Sequence, residues 1–314
     1  MVNEVCVIGG GAVGGVIAYY LYRSGVRFIP VYYSSLESIR EIEENHGLLV
    51  IDKPRGQEVL VPITPRSASN PIDKCHFVFN AVKAYHVDES LLLARKILDP
   101  GGVLLMLQNG FGSLEKAEEF IIHGKVAAGV VYYGAERVSR SRILYHGGGV
   151  VIAGSRKTPC PELFELATLF RIGGLDFRLT NNIDFYRWLK LALNAVVNSI
   201  TAITMARNKI VLEPEAQWIA KMIVREVVEA ARVHGYEFSE ERLLEYINRN
   251  VEAVAENSSS MLQDLTRGSI TEVDYINGYV VRTLGERAVV NTVITLLVKL
   301  IEKTRREKAL LALS

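Results

Sequence analysis

Over the first 180 residues, short apolar runs alternate with longer mixed segments, which is the pattern of buried parallel strands joined by crossover helices. Val5-Cys6-Val7-Ile8, Phe28 to Tyr33, Phe77-Val78-Phe79, Val103 to Leu107 and Val126 to Tyr132 read as strands. Between them, Ala12 to Ser24, Leu36 to Glu44, Val87 to Leu98 and Ser113 to His123 place apolar residues at helical spacing. After the glycine-rich stretch His146 to Ile152 and an apolar run at Leu175 to Leu179, the strand signals stop. From Asn181 onward the chain reads as helix, over Ile183 to Met205, Pro214 to His234, Ser239 to Asn257, Asp274 to Gly285 and Val290 to Arg306. The expectation is an α/β, doubly wound domain over 1–180, then an all-α domain over 181–314. Pro30 removes a ladder donor from the second strand and predicts a bulge there.

Composition narrows the classes of function. The 314 residues carry 36 Lys+Arg against 35 Asp+Glu, and 49% are hydrophobic, as in an ordinary globular protein with room for two cores. A net charge of +1 with no block of like charges gives nucleic acid or an anionic membrane no electrostatic hold, so a small-molecule substrate is expected. No stretch is long and apolar enough to predict a membrane span. The start Met1-Val2-Asn3-Glu4 lacks a basic region, so a signal peptide is not expected. Cys6, Cys75 and Cys160 are scattered and odd in number, with neither metal-ligand nor C-x-x-C spacing. Reduced thiols in a cytoplasmic protein without a metal are the expectation.

Directly after the first strand stands Gly9-Gly10-Gly11-Ala12-Val13-Gly14, a G-x-G-x-x-G that opens a helix. The first glycine permits a tight turn, the second lets a pyrophosphate approach the backbone, and the third lets helix and strand pack closely. Strand before, helix after and position near the amino terminus make this a Rossmann-like dinucleotide site. The second strand ends Tyr32-Tyr33-Ser34-Ser35, without the acid that an NAD site presents to the ribose. NADP(H) is therefore favoured, with Ser34, Ser35 and Arg40 as candidate phosphate contacts, and NAD(H) stays possible.

In the first long helix of the second half, Lys190, Asn194 and Asn198 fall at i, i+4 and i+8, on one face. A solvated face is one explanation. Asparagine, however, costs roughly half a kcal/mol more than alanine in a helix interior, and two of them favour a face that binds something. Further on, Thr271 or Ser269 could cap a helix with Glu272 in its first turn, a purely structural role, after an irregular serine run, Ser258 to Ser260. Trp188 and Trp218 read as core, and His76, His86, His123 and His234 have no ligand spacing.

Taken together, these segments resemble the ketopantoate reductase family. The resemblance rests on the glycine turn, Val82-Lys83-Ala84, Gln108-Asn109-Gly110, the stretch from His146 to Gly154, Lys190-Leu191-Ala192-Leu193-Asn194 with Asn198, Ser260-Met261-Leu262-Gln263-Asp264, and Thr271 to Gly278. It implies reduction of 2-dehydropantoate to pantoate, a step toward coenzyme A, in a cleft enclosed by the two domains. Lys190 would protonate the carbonyl oxygen and Glu272 would bind the substrate hydroxyl, both being catalytic. Asn109, Asn194, Asn198, Asn208 and Ser260 would contact substrate. The coenzyme would meet Gly9, Gly10, Gly11, Ala12, Val13, Gly14, Ser34, Lys83, Asn109 and Glu272. One departure from the family is Ser34, where many members carry an arginine. Two other readings stay open: a related reductase of another 2-oxo acid, and a non-catalytic redox sensor, against which the pair Lys190 and Glu272 argues. The apolar helices Pro214 to His234 and Val290 to Ile301 make a homodimer conceivable, although such faces more often pack inside a subunit.

Overall fold

The computed structural model describes residues 4–311, with side chains through residue 307. Residues 1–3, on which part of the amino-terminal expectation rests, lie outside the described residues. The chain divides into two compact units, Met1–Gln108 with Ser113–Tyr186, and Asn109–Gly112 with Arg187–Ser314.

The first unit runs β1 (Val5–Ile8), α1 (Ala12–Arg23), β2 (Pro30–Tyr33), α2 (Leu36–Glu44), β3 (Leu48–Asp52), β4 (Gln57–Val61), β5 (Thr64–Ser67), β6 (Cys75–Asn80), α3 (Val87–Ile97), β7 (Leu98–Met106), α4 (Ser113–Phe120), β8 (Lys125–Val131), β9 (Gly134–Arg137), β10 (Arg142–Gly147), β11 (Val151–Gly154), α5 (Leu163–Gly173) and β12 (Phe177–Leu179). An eight-stranded sheet has the order β12-β11-β8-β7-β6-β1-β2-β5. It is parallel except where β11 meets β8. Val5 to Ile8 are buried without alternation, as a strand covered on both faces requires. The strand order reverses at β1, which has β2 on one side and β6 on the other. In such sheets ligands bind beyond the carboxyl ends of the strands at this reversal, and there the glycine turn begins.

Three expectations change here. Pro30 makes no bulge: it is the first residue of β2, where a missing N–H interrupts no ladder, and the pairing continues in register on both sides. A second sheet, β4-β3-β10-β9, is built from segments that the hydrophobic pattern does not mark. Gln57, Glu58 and Leu60 of β4 are exposed, and β3 finds its parallel partner, β10, far along the chain. Lastly, Cys6 and Cys75 are not free thiols but form a disulfide, leaving Cys160 as the free cysteine. Adjacent parallel strands bring them together across a sequence separation of 69 residues, which spacing rules cannot see.

The second unit is helical: α6 (Ile183–Thr204, entering from the first unit), α7 (Pro214–Val233), α8 (Glu240–Ala253), α9 (Ser260–Thr266), α10 (Asn277–Leu284) and α11 (Val289–Leu311). Its core gathers Trp188, Leu191 and Val196 of α6 with Ile223, Val224 and Val227 of α7 and Val280 of α10. Pro214 opens α7 at a position where no N–H is needed. Ser239 caps α8, and the Ser259 hydroxyl accepts from Leu262 N, so the serine run is a helix start and not irregular coil. Trp188 is core as expected, but Trp218 is 71% exposed, beside Ile219 and Met222. Helical spacing shows which positions share a face; it does not show which face is covered.

Candidate functional site

In the first unit the candidate surface is made by missing side chains. Gly9 has φ +93°, and a Cβ there would press on Val82 N at 3.0 Å. A Cβ on Gly14 would overlap the Gly9 carbonyl, which is the close approach of helix to strand that the third glycine serves. A Cβ on Gly11 would meet nothing within 4 Å, so the backbone there faces open space. Gly11 is also the N-cap of α1 and supplies no side-chain acceptor to the helix's first N–H groups. Such groups attract an anion, and the cradle fits a dinucleotide pyrophosphate. Ala12 and Val13, half-buried, begin the helix.

Around the cradle, Gln108 Nε2 bonds Asn80 O, Asn80 Oδ1 and Val82 O, tying the end of β7 to the end of β6. Lys83 is half-buried just before a short turn at Ala84–His86. Ser34 and Arg40 are both exposed. Tyr33 is not: its hydroxyl is buried without a hydrogen-bond partner and occupies the place that a Gly10 Cβ would fill. The variable position between the first two glycines of this motif must therefore be glycine here, because Tyr33 fills that space.

In the second unit the candidate surface is made by side chains that are present. Asn194 and Asn198 are 6% and 5% exposed, which removes the solvated-face explanation of the stripe on α6. Asn194 Nδ2 donates to Asn109 Oδ1 at 3.3 Å, and Asn109 Nδ2 donates to Glu272 Oε2 at 3.2 Å. Asn198 Nδ2 reaches Ser260 Oγ at 3.4 Å. Lys190 lies half-buried on the same face, and burial pulls its ammonium from the ordinary lysine value down to about 8. Asn208 does not join these hydrogen bonds: its amide donates to Val254 O and its side-chain oxygen is buried without a partner.

Glu272 does not lie in a helix's first turn but just before the short 3-10 turn Val273–Tyr275, and its side chain makes no capping hydrogen bond. Its carboxylate accepts from Asn109, whereas Thr271 Oγ1 accepts from Val273 N. The segment is gripped by α11, where Glu302 Oε1 accepts from both Thr271 N and Thr271 Oγ1, and Lys299 pairs with Asp274 at 2.6 Å. Asn109 is held by its neighbours. Gly110, at φ +80°, lies so close to Tyr275 O that no Cβ fits, and Phe111 N donates to that same carbonyl. The Phe111 ring stacks on Tyr279 at 4.8 Å, contacts Trp188 at 4.6 Å and lies under the buried Arg187 guanidinium at 4.0 Å. Sequence spacing misses these anchors, Phe111, Arg187, Tyr279, Lys299 and Glu302, because each works from another element.

Two family models match the chain, Ketopantoate reductase PanE/ApbA over residues 5–158 and Ketopantoate reductase PanE/ApbA C terminal over residues 182–304. A 2-dehydropantoate 2-reductase of Archaeoglobus fulgidus is 32% identical over 285 residues, which are 90% of this chain and 90% of that protein. Among solved structures, a D-mandelate dehydrogenase with NADH and anilino(oxo)acetate is similar at TM-score 0.88 and 22% identity, over 96% of this chain and 99% of its own. A ketopantoate reductase from Staphylococcus aureus, described as dimeric, is similar at TM-score 0.79 and 20% identity, over the same shares.

Proposed function

Since the chain belongs to the ketopantoate reductase family, we propose that this oxidoreductase reduces 2-dehydropantoate to pantoate with a nicotinamide coenzyme, a step toward coenzyme A. The observation that carries this reading is the set on and around α6: a lysine with its pKa lowered to about 8, in line with two buried asparagines and linked residues ending at Glu272.

The division of labour follows the two kinds of surface, with coenzyme on the first unit's cradle and substrate chemistry on the second unit's side chains. When bound, the nicotinamide supplies a hydride to the ketone carbon. Negative charge then grows on the ketone oxygen, where the Lys190 ammonium stabilises it and delivers the proton. A lysine near 8 is still mostly protonated at neutral pH and gives up its proton more readily than an ordinary lysine. Glu272 accepts a hydrogen bond from the substrate hydroxyl, and Asn109 holds that carboxylate in place. Asn194, Asn198, Asn208 and Ser260 supply the remaining substrate contacts. Gly9, Gly10, Gly11, Ala12, Val13 and Gly14 cradle the coenzyme, with Lys83, Asn109 and Glu272 nearer its reactive end and NADP(H) preferred.

A related 2-oxo acid is the second reading, favoured by the likeness in fold to a dehydrogenase described with anilino(oxo)acetate. Mixing purified protein with 2-dehydropantoate and either NADPH or NADH, while following nicotinamide absorbance, tests both. Rapid oxidation supports the first reading. No turnover with 2-dehydropantoate, but turnover with an aryl 2-oxo acid, moves the assignment to the second.

A homodimer is part of this reading. Val289, Val293, Leu296, Leu297 and Leu300 form an exposed apolar stripe on α11, which packs beside α7 with its exposed Trp218 and Met222. An apolar face of this kind marks an interaction site, and one similar structure is described as dimeric. Cytoplasmic location is retained: Cys6 and Cys75 are fully buried, so a reducing thiol has no access to the disulfide in the folded protein.

A further inference from the structure

The end of β2 lacks both an acid and an arginine; beyond it Ser34 and Arg40 are exposed, and the Ser35 hydroxyl caps α2 by accepting from Ser38 N. A different cation is brought to this place by the second sheet. Tyr133, just before β9, donates from its hydroxyl to Val13 O in the first turn of α1. Arg137, at the far end of β9, pairs with Ile143 of β10, and Ile143 packs against Gly15 of α1. The turn that follows is tied to α2: Ser139 Oγ, Ser141 Oγ and Ser141 N all donate to Glu41 Oε1, and Arg140 pairs with Glu37. The segment that carries Arg137 is thus tied to α1 on one side and to α2 on the other, the two helices that flank the coenzyme's adenosine ribose in a doubly wound fold.

Strand alternation gives Arg137 its direction. Tyr133, Ala135 and Arg137 share one face of β9, and Ala135 packs against the core cluster that contains Tyr33. Arg137 itself is exposed and, among the described residues, makes no ion pair or side-chain hydrogen bond. Its positive charge acts on the Tyr33 hydroxyl, the buried group with no partner. A buried hydroxyl left unsatisfied is unfavourable, a cost that a bound acceptor would remove.

We propose that Arg137, together with the Tyr33 hydroxyl, is the site that takes the 2′-phosphate of NADP(H), in place of an arginine at the end of β2. The proposal rests on the dinucleotide reading of the glycine turn and names the residues that set its coenzyme preference. The chemistry is a guanidinium paired with a phosphomonoester, strengthened by a phenol that donates to the same oxygens.

The test is binding, not turnover: titrate wild type, Arg137→Ala, Tyr33→Phe and Arg40→Ala with NADPH, NADH and adenosine 2′,5′-bisphosphate by calorimetry. Wild type should prefer NADPH. Arg137→Ala should weaken NADPH and the bisphosphate by about ten- to a hundredfold, as loss of a charged hydrogen-bonded pair does, with NADH unchanged. Tyr33→Phe should weaken them several-fold without lowering the melting temperature, which shows that the hydroxyl serves ligand and not fold. Equal affinity of wild type for NADPH and NADH overturns the proposal and leaves the dinucleotide reading intact, as does a loss confined to Arg40→Ala. Binding of neither coenzyme by wild type overturns the dinucleotide reading itself.

Discussion

The two units build their sites in opposite ways. In the first, the proposed coenzyme cradle depends on atoms that are absent: Gly11 leaves open space, Gly14 lets α1 press on the Gly9 carbonyl, and Gly10 makes room for Tyr33. In the second, the proposed chemistry depends on atoms that are present, the buried amides of Asn194 and Asn198 and the half-buried ammonium of Lys190. A cradle for a phosphate chain needs bare backbone N–H groups, which any side chain obstructs. A ketone undergoing reduction needs a proton and a counter-charge, which only side chains supply. The first site is therefore sensitive to added atoms and the second to removed ones.

The largest expected effect is on the second unit. Lys190→Ala removes the proton donor and should lower kcat by about a hundred- to ten-thousandfold, while coenzyme affinity by fluorescence titration stays at the wild-type value. A kcat within threefold of wild type would erase the contrast. Next is the staple of the first unit: replacing Cys6 and Cys75 together by Ala opens a loop of 69 residues and should cost about 4 kcal/mol in denaturant melts, with kcat of the folded protein preserved. Unchanged stability would show that the bond contributes nothing to the sheet.

The glycines separate fold from ligand. Gly14→Ala should cost about 1–3 kcal/mol because its Cβ strikes the Gly9 carbonyl, whereas Gly11→Ala should leave the melting temperature unchanged and weaken coenzyme binding. Equal destabilisation by the two contradicts the assignment of Gly11 to the ligand. The smallest effect concerns positioning. Glu302→Ala frees Thr271 and should lower kcat roughly tenfold through Glu272, while Glu302→Gln, still an acceptor for both Thr271 donors, should restore most of it. If both variants have wild-type kcat, α11 does not position the carboxylate.

The glycine turn is legible in the sequence because backbone geometry demands glycine at fixed spacing, and the α6 stripe because asparagine is an uneconomical choice for a helix unless it binds something. Glu272 is not legible from local pattern: a helix cap and a buried carboxylate held by Asn109 look alike along the chain. The sheet β4-β3-β10-β9, the Cys6–Cys75 bond and the grouping of Asn109 to Gly112 with the helices all depend on partners far away in sequence. Periodicity records which residues share a face, and it carries no record of what that face meets. Arg137 belongs to this class, since its place is set by β10, α1 and α2 and not by its neighbours in the chain.

The central claim, that a lysine held near 8 is the proton donor to a 2-oxo acid, is tested most directly by kcat/KM for 2-dehydropantoate reduction between pH 6 and pH 10, the parameter that reports the pKa of the protein before it binds substrate. Protonated Lys190 is the active form, so kcat/KM should be level below about 8 and fall about tenfold per pH unit above it, as the donor loses its proton. A kcat/KM that stays level to pH 10 would contradict the account, because an unprotonated Lys190 would then be as good as a protonated one.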